Sequence, residues 1–104
     1  RQERPDAIFG ITDDLAIGAI EAIKEKGLNI PEDIAVVGFS NTKRSRYMNP
    51  TVSSINQFPE KIGRAAAELL FDQILNSKHA QIKKEIINCE LIVRESSDRL
   101  CKTR

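Results

Sequence analysis

An uncharged run at residues 34–39, IAVVGF, is the feature that most limits the folds open to this chain. Charged side chains make up 30% of the 104 residues, yet none interrupts the run, in which β-branched Ile and Val are frequent. A short segment that is apolar on both faces is typical of a parallel-sheet strand, because helices cover such a sheet on both sides. The sequence therefore predicts a buried strand at this place.

A second apolar run and a helix precede this strand. Residues 7–11, AIFGI, form the run, and a helical pattern follows Thr12 and continues to Lys26, with Gly27 in a good position to end the helix. Strand, helix and strand within about 35 residues make a βαβ unit. We therefore predict an α/β fold with a doubly wound parallel sheet and flanking helices.

The rest of the chain continues the same alternation. Residues 40–51 are polar and predict a loop, and Val52 to Gln57 predicts a third extended segment. Pro59 suits the first turn of a helix that we expect to end at about Leu75. A last strand is predicted from Glu85 to Val93.

Composition argues against several classes of function. Sixteen basic and fifteen acidic residues give a net charge of +1, which is no electrostatic footprint for nucleic acid or a membrane surface. Cys89, Cys101 and the single histidine, His79, form neither a disulfide framework nor a metal-ligand pattern. There is no phosphate-cradling Gly loop, and a Ser40 nucleophile would need a base that only the distant His79 could supply. We expect no metal, no cofactor and no catalysis.

Small polar residues follow both predicted parallel strands. Thr12 and Asp13 come after the first strand, and Ser40 and Asn41 come after the second. Ligands of open parallel sheets bind beyond the carboxyl ends of the strands, so these four residues are candidate ligand contacts. An alternative stays open, in which Thr12 or Asp13 only caps the helix and Ser40 and Asn41 only begin a turn.

The first helix carries an unusually wide apolar surface. One apolar face is predicted to contain Leu15, Ala16, Ala19, Ala22 and Ile23. Ile17 and Ile20 extend the apolar arc beyond the stripe of an ordinary surface helix. This rim suggests a partner surface, and the alternative is that further chain covers it.

A series of motifs in fixed order resembles the lactose-repressor (LacI) family of bacterial transcription regulators. The series consists of RPDAIF at 4–9, D-x-x-A-x-G-x-x-x-A at 13–22, GLNIPEDIAVVGF at 27–39, P-x-x-(S/T)-(S/T)-I-x-Q at 50–57, G-R-x-A-A-E-L-L at 63–70 and L-I-V-R-E-S at 91–96. The resemblance covers about residues 4–97.

The resemblance implies a partial domain and a class of function. Residues 1–97 would be the C-terminal portion of an effector domain like the type I periplasmic binding proteins, and residues 98–104 would be a disordered tail. The effector would be a small molecule, a sugar or a derivative, bound in a cleft between two lobes. The regulator would be a cytoplasmic homodimer with no membrane contact, and it would bind DNA through a headpiece outside this chain. The alternative is a fragment of a periplasmic sugar-binding protein that serves a transporter.

The resemblance also carries over individual residues. Asp13 matches a family Asp, while Thr12 replaces a family Asn and Ser40 replaces a family Asp that often contacts the ligand. Asn41 follows, and Gln57 matches a position that faces the cleft. The region of the usual dimer contact corresponds to Ile17, Ile20, Tyr47 and Met48. The basic residues at 43, 44 and 46 are interpreted as a solvated loop, with DNA contact as the weaker alternative.

Overall fold

A computed structural model describes residues 3–76 and 82–100 of the chain. Two compact units are present: Arg1–Asn56 with Glu90–Arg104, and Gln57–Cys89. His79 and Cys101, which entered the argument against a metal site, lie outside the described residues. Among the helices that are described, none has both the length and the apolar character needed to cross a membrane.

Four strands and three helices alternate along the described chain. They are β1 (Ala7–Phe9), α1 (Asp13–Glu25), β2 (Ala35–Val37), α2 (Lys43–Tyr47), β3 (Ser54–Asn56), α3 (Pro59–Leu75) and β4 (Glu90–Ile92).

The predicted βαβ unit is present. β1 and β2 pair in parallel, with Ala7 opposite Ala35 and Phe9 opposite Val37. A parallel bridge between Val37 and Ser53 extends the pairing beyond β2, and the amide of Gly38 donates to the carbonyl of Ser53 at 2.8 Å. The parallel arrangement follows from the crossover through α1, which returns the chain to the same end of the sheet.

The end of the chain completes the first unit. β4 pairs with β3 in antiparallel register, and it spans only Glu90–Ile92 of the strand predicted from Glu85 to Val93. Ser96 then bonds to two segments at once. Its hydroxyl accepts from the amide of Ser53 at 2.8 Å and donates to the carbonyl of Val36 at 2.6 Å. These contacts fasten the last segment to β2.

The first residues of the predicted tail also make hydrogen bonds. Arg99 donates through Nε to the carbonyl of Pro31 at 2.7 Å and through Nη2 to the carbonyl of Asp6 at 2.6 Å. The prediction placed the tail at residues 98–104, and residues 101–104 lie outside the described part of the chain.

Local signals set both ends of α1. The Thr12 hydroxyl accepts from the amide of Leu15 at 3.2 Å and so caps the helix. At the other end Gly27 has a φ of +74°, a conformation that other residues adopt only at a cost. The predicted start and stop of this helix are therefore confirmed.

The apolar arc of α1 is buried on the side of its predicted rim. The buried cluster of the first unit consists of Ala16, Ile17, Ile20, Ile23, Ile34, Val36 and Val52. Leu15, which was predicted to lie on the main apolar face, is 56% exposed, whereas Ile20 is fully buried. The interpretation of Ile17 and Ile20 as an exposed apolar rim is therefore wrong. The physical reason is that Asp13 lies on the same helical face, and its buried hydrogen bonds fix the rotation of α1.

A short helix, α2, lies inside the predicted loop of residues 40–51. Of its five residues only Ser45 is buried, and the Ser45 hydroxyl donates to the carbonyl of Thr42 at 2.6 Å. A helix held by one buried serine has no hydrophobic periodicity, so the pattern of the sequence could not reveal it.

The second unit consists of α3 and the segment that follows it. Pro59 begins the helix as predicted, after Phe58 in a left-handed conformation with φ of +55°. The ammonium of Lys61 lies 4.7 Å from the centre of the Phe58 ring. Lys83 and Asp72 form an ion pair at 3.1 Å. An apolar groove on this unit is lined by Ile62, Ala65, Ala66, Leu69, Glu85 and Ile87.

The rotation of α1 can be tested with a matched pair of truncations. We expect Ile20→Ala to lower the free energy of unfolding by about 2–5 kcal/mol, because it opens a cavity in the buried cluster. Leu15→Ala, on the same helix, is expected to cost about 0.5 kcal/mol because its side chain already lies in water. Urea denaturation followed by circular dichroism measures both, and a larger cost for Leu15→Ala would contradict the observed helix face.

Candidate effector-binding site

The carboxyl ends of β1 and β2 meet at one edge of the parallel pair. The amide of Gly10 donates to the carbonyl of Val37 at 2.7 Å, and the amide of Asp13 donates to the carbonyl of Phe39 at 3.0 Å. These bonds bring the pair Thr12–Asp13 beside the pair Ser40–Asn41. The structure thus joins four of the five candidate ligand residues at what we call the carboxyl edge, residues 10–13 and 38–42.

Asp13 is the buried centre of this edge. Its carboxylate is fully buried and accepts three hydrogen bonds. Oδ2 accepts from the amide and the hydroxyl of Thr42 at 2.6 and 3.0 Å, and Oδ1 accepts from the hydroxyl of Ser54 at 2.7 Å. The carboxylate therefore binds Thr42 of the loop before α2 and Ser54 of β3, and these bonds hold the carboxyl edge in place.

Gly38 makes the burial of Asp13 possible. A Cβ atom at this position would lie 2.2 Å from Oδ1 of Asp13 and 3.2 Å from its Cα atom. No side chain fits at such distances, so only glycine lets the carboxylate reach Ser54 and Thr42. The glycine within the apolar run is thus a signal for a close approach, and sequence reasoning did not use it.

Ser40 and Asn41 form a turn with an unusual backbone. Their φ angles are +102° and +52°, which lie in the left-handed region where residues other than glycine are strained. Two bonds hold the turn: the Ser40 amide donates to the carbonyl of Ile55 at 3.0 Å, and the Asn41 amide donates to the hydroxyl of Ser54 at 2.9 Å. The turn that the alternative interpretation proposed therefore exists, and it lies at the edge where a ligand was predicted.

Arg94 is a site residue that sequence reasoning missed. It donates through Nη2 to Oδ1 of Asn41 at 2.6 Å and through Nη1 to the carbonyl of Val52 at 2.7 Å. Burial and the neighbouring charge of Arg46 lower the pKa of its guanidinium, and the charge of Asp13 opposes them. An arginine remains charged at neutral pH under such influences. The only signal was its place in the motif L-I-V-R-E-S at the end of the last strand.

The remaining predicted site residues lie in different surroundings. Thr12 is exposed, and its hydroxyl oxygen caps α1. Gln57 is half-buried and belongs to the second unit. Of the residues assigned to a dimer contact, Tyr47 is 83% exposed, Met48 packs against the core of the first unit, and Ile17 and Ile20 belong to that core.

Residues 3–76 and 82–100 contain no group of three or more His, Cys, Asp or Glu side chains arranged to hold a metal ion. The polar chemistry of the carboxyl edge is instead that of amide, hydroxyl and guanidinium groups, which recognise ligands through hydrogen bonds.

Comparison with known proteins gives a consistent family. A model of the periplasmic binding protein-like domain matches residues 1–97. The HTH-type transcriptional repressor PurR of Mannheimia succiniciproducens is 39% identical over 97 residues, which cover 91% of this chain and 28% of the repressor. The chain therefore spans little more than a quarter of that relative.

Solved structures agree with this relationship. The complex of the transcriptional regulator CelR with cellobiose has a TM-score of 0.83 and 33% identity, over 88% of this chain and 28% of that protein. A LacI family regulator from Enterococcus faecium with bound ribose has a TM-score of 0.82 and 26% identity, over 96% of this chain and 37% of that one. The chain belongs to the periplasmic binding protein-like domain family, and its resemblance to the LacI-type regulators is confirmed along nearly its whole length.

Proposed function

We propose that this chain is the effector-binding and dimerisation portion of a LacI-type transcription regulator whose effector is a sugar or a sugar derivative. The observation that carries the proposal is the carboxyl edge, where backbone hydrogen bonds bring residues 12–13 beside residues 39–42 and the buried carboxylate of Asp13 binds Thr42 and Ser54. Sheets of this type bind ligands at that place. Gln57 is proposed as a further ligand contact.

A polyhydroxy ligand suits the chemistry of the edge. Sugar hydroxyls both donate and accept hydrogen bonds, so they can satisfy amide and hydroxyl side chains that would otherwise lose their water. Two structural neighbours contain such ligands, cellobiose in one and ribose in the other. Ser40 stands where the family resemblance places a carboxylate, so we expect an effector that does not depend on a charge-assisted bond at that position.

The same edge offers a route from the effector to α2. Thr42 is the residue immediately before α2, and both its amide and its hydroxyl donate to Oδ2 of Asp13. A ligand that contacts Asn41 therefore touches the residue next to this junction. Allosteric control requires that the effector bind one state of the regulator more tightly than another, and a shift of this turn would supply the difference.

Dimerisation is proposed through the surface that includes Tyr47. The contact between Arg44 and Asp14, at 3.7 Å, brings the start of α1 beside α2. Each helix also exposes a large apolar side chain, Leu15 on α1 and Tyr47 on α2. Pairing of two copies would let two DNA-binding segments read a palindromic operator in the cytoplasm. Ile17 and Ile20 support this surface from the core.

The alternative is that the chain belongs to a periplasmic sugar-binding protein that serves a transporter. The coding sequence upstream of Arg1 distinguishes this hypothesis from the regulator. A basic helix-turn-helix segment would support the regulator, and an apolar signal segment would contradict it. Catalysis is not part of the proposal, and the relative with 39% identity is a transcriptional repressor.

Effector binding can be measured directly on the full-length protein by titration calorimetry. We expect D-ribose or cellobiose to bind, and Asn41→Ala to raise Kd by about 10-fold, because one hydrogen bond and its support are lost. Asn29→Ala, near the opposite end of α1, is the control and should leave Kd unchanged. Binding by neither sugar would contradict the proposed effector class.

The buried carboxylate is expected to be a structural requirement of the site. Asp13→Asn places an NH2 group against a donor of Thr42 or Ser54, because both oxygens of Asp13 accept hydrogen bonds. We therefore expect a loss of about 1–3 kcal/mol in the free energy of unfolding and weaker effector binding. Asp14→Asn is the matched control, since Asp14 is exposed and makes only a long ion pair. Equal stability of the two variants in urea denaturation would show that the buried bonds of Asp13 are not required.

The proposed dimer surface has its own test. Tyr47→Ala should raise the dimer dissociation constant by about 10-fold or more, because it removes an aromatic side chain from the interface. Lys43→Ala on the same helix serves as the control. Sedimentation equilibrium measures both, and an unchanged constant for Tyr47→Ala would place the interface elsewhere.

A further inference from the structure

We propose that Arg94 is a positioning residue that fixes the amide of Asn41, so that this side chain offers the effector only its NH2 group. The effector would then present a hydrogen-bond acceptor at this point, and for ribose we assign it to the 2- or 3-hydroxyl, whose lone pair faces the amide. The inference rests on the proposed function, because it specifies what the carboxyl edge selects.

The partner of Asn41 determines which way its amide is turned. Nη2 of Arg94 lies 2.6 Å from Oδ1 of Asn41. A guanidinium has only donors and stays charged, so the oxygen is the one end of the amide that can face it. Rotation of the amide would bring two donors together and lose a charge-assisted bond. The chemistry of Arg94 therefore assigns the orientation.

Neither partner is free to follow a different ligand. The other terminal nitrogen of Arg94, Nη1, donates to the carbonyl of Val52 at 2.7 Å. The backbone amide of Arg94 donates to the hydroxyl of Ser53, also at 2.7 Å. On the other side, the backbone of Asn41 is held in its left-handed conformation by its bond to Ser54. The contact is thus fixed from both ends.

The NH2 group of Asn41 is available to a ligand. Within the described residues this NH2 group has no hydrogen-bond partner. Every buried side-chain nitrogen or oxygen in this part of the chain does have a partner. The NH2 group is therefore not buried, and solvent reaches it. The neighbouring oxygens are already bonded within the protein: Oδ2 of Asp13 accepts two bonds from Thr42, Oδ1 accepts one from Ser54, and the Ser54 hydroxyl accepts from the amide of Asn41. The edge therefore presents the NH2 donor of Asn41, next to Ser40, the position at which the family resemblance would place an accepting carboxylate.

Reversal of the hydrogen-bond polarity provides the test. Asn41→Asp keeps the size of the side chain and its bond to Arg94, and it replaces the NH2 donor with an acceptor. The probes are D-ribose with its 2-deoxy, 2-deoxy-2-fluoro, 3-deoxy and 3-deoxy-3-fluoro derivatives, together with cellobiose, titrated into the full-length protein. Fluorine accepts weakly and cannot donate, so it separates the two polarities.

We expect one ring position at which the native protein loses about 10-fold in affinity for the deoxy sugar but at most about 3-fold for the fluoro sugar. In Asn41→Asp the fluoro sugar should become about 10-fold weaker than the parent, whose hydroxyl can turn to donate. Equal losses for deoxy and fluoro sugars at both positions, or an unchanged order in Asn41→Asp, would overturn the proposal.

A role in positioning is separated from a role in stability by Arg94→Gln. A glutamine offers the Asn41 amide both a donor and an acceptor, so either end of that amide can face it. We expect the fluoro sugar to become weaker relative to the parent than in the native protein, because a rotated amide presents an acceptor to the ligand. A purely structural role would weaken every probe by the same factor, and that result would contradict the positioning role.

A measurement without ligand keeps the two proposals distinct. The Nη protons of Arg94 should give slowly exchanging NMR signals at low temperature, and Asn41→Ala should remove the one bonded to Asn41. Unaffected signals would overturn the positioning role even if ribose binds. Binding by neither sugar would overturn the sugar effector, and the fixed amide would then stand or fall on the Arg94 signals.

Discussion

The three hydrogen bonds to the buried carboxylate of Asp13 are the interaction on which the first unit depends. They join the start of α1 to the turn before α2 and to β3, three segments that lie far apart in the sequence. A buried carboxylate is tolerated only when such bonds satisfy its oxygens. The absence of a side chain at Gly38 and the rotation of α1 follow from the space and the bonds that this group requires. The strained turn at Ser40 and Asn41 is linked to it through Ser54, whose hydroxyl accepts from Asn41 and donates to Asp13.

Arg94 and Ser96 extend the same logic to the end of the chain. Each satisfies buried or half-buried polar groups of two different segments, Val52 and Asn41 for the arginine, Val36 and Ser53 for the serine. The edge that we propose as the effector site is therefore supported by polar networks and not by apolar packing alone. Hydrogen-bond networks of this kind restrict the motion of their members, which suits a site that must distinguish one small polar molecule from another.

The sequence predicted the features that depend on neighbouring residues. The cap at Thr12, the stop at Gly27 and the start of α3 at Pro59 are local signals, and the structure confirms them. The rotation of α1 could not be predicted from hydropathy, because Leu15 and Ile20 are both strongly apolar. The buried hydrogen bonds of Asp13 determine which of the two faces the core. Arg94 was missed since its partner Asn41 lies 53 positions away. Helix α2 was missed because its single buried residue is a serine.

The first unit is assembled from two separated stretches of chain. Arg99 bonds to the carbonyl of Asp6, and the carbonyl of Ser96 accepts from the amide of Val36, across separations of 93 and 60 positions. During synthesis, the second unit is made between the two stretches of the first. Ser96, which bonds to Val36 of β2, therefore leaves the ribosome only after the second unit. Pairings between such distant segments form slowly. The nascent chain therefore exposes apolar β2 residues until residues 96–99 emerge, and in that interval it is open to aggregation and to binding by chaperones.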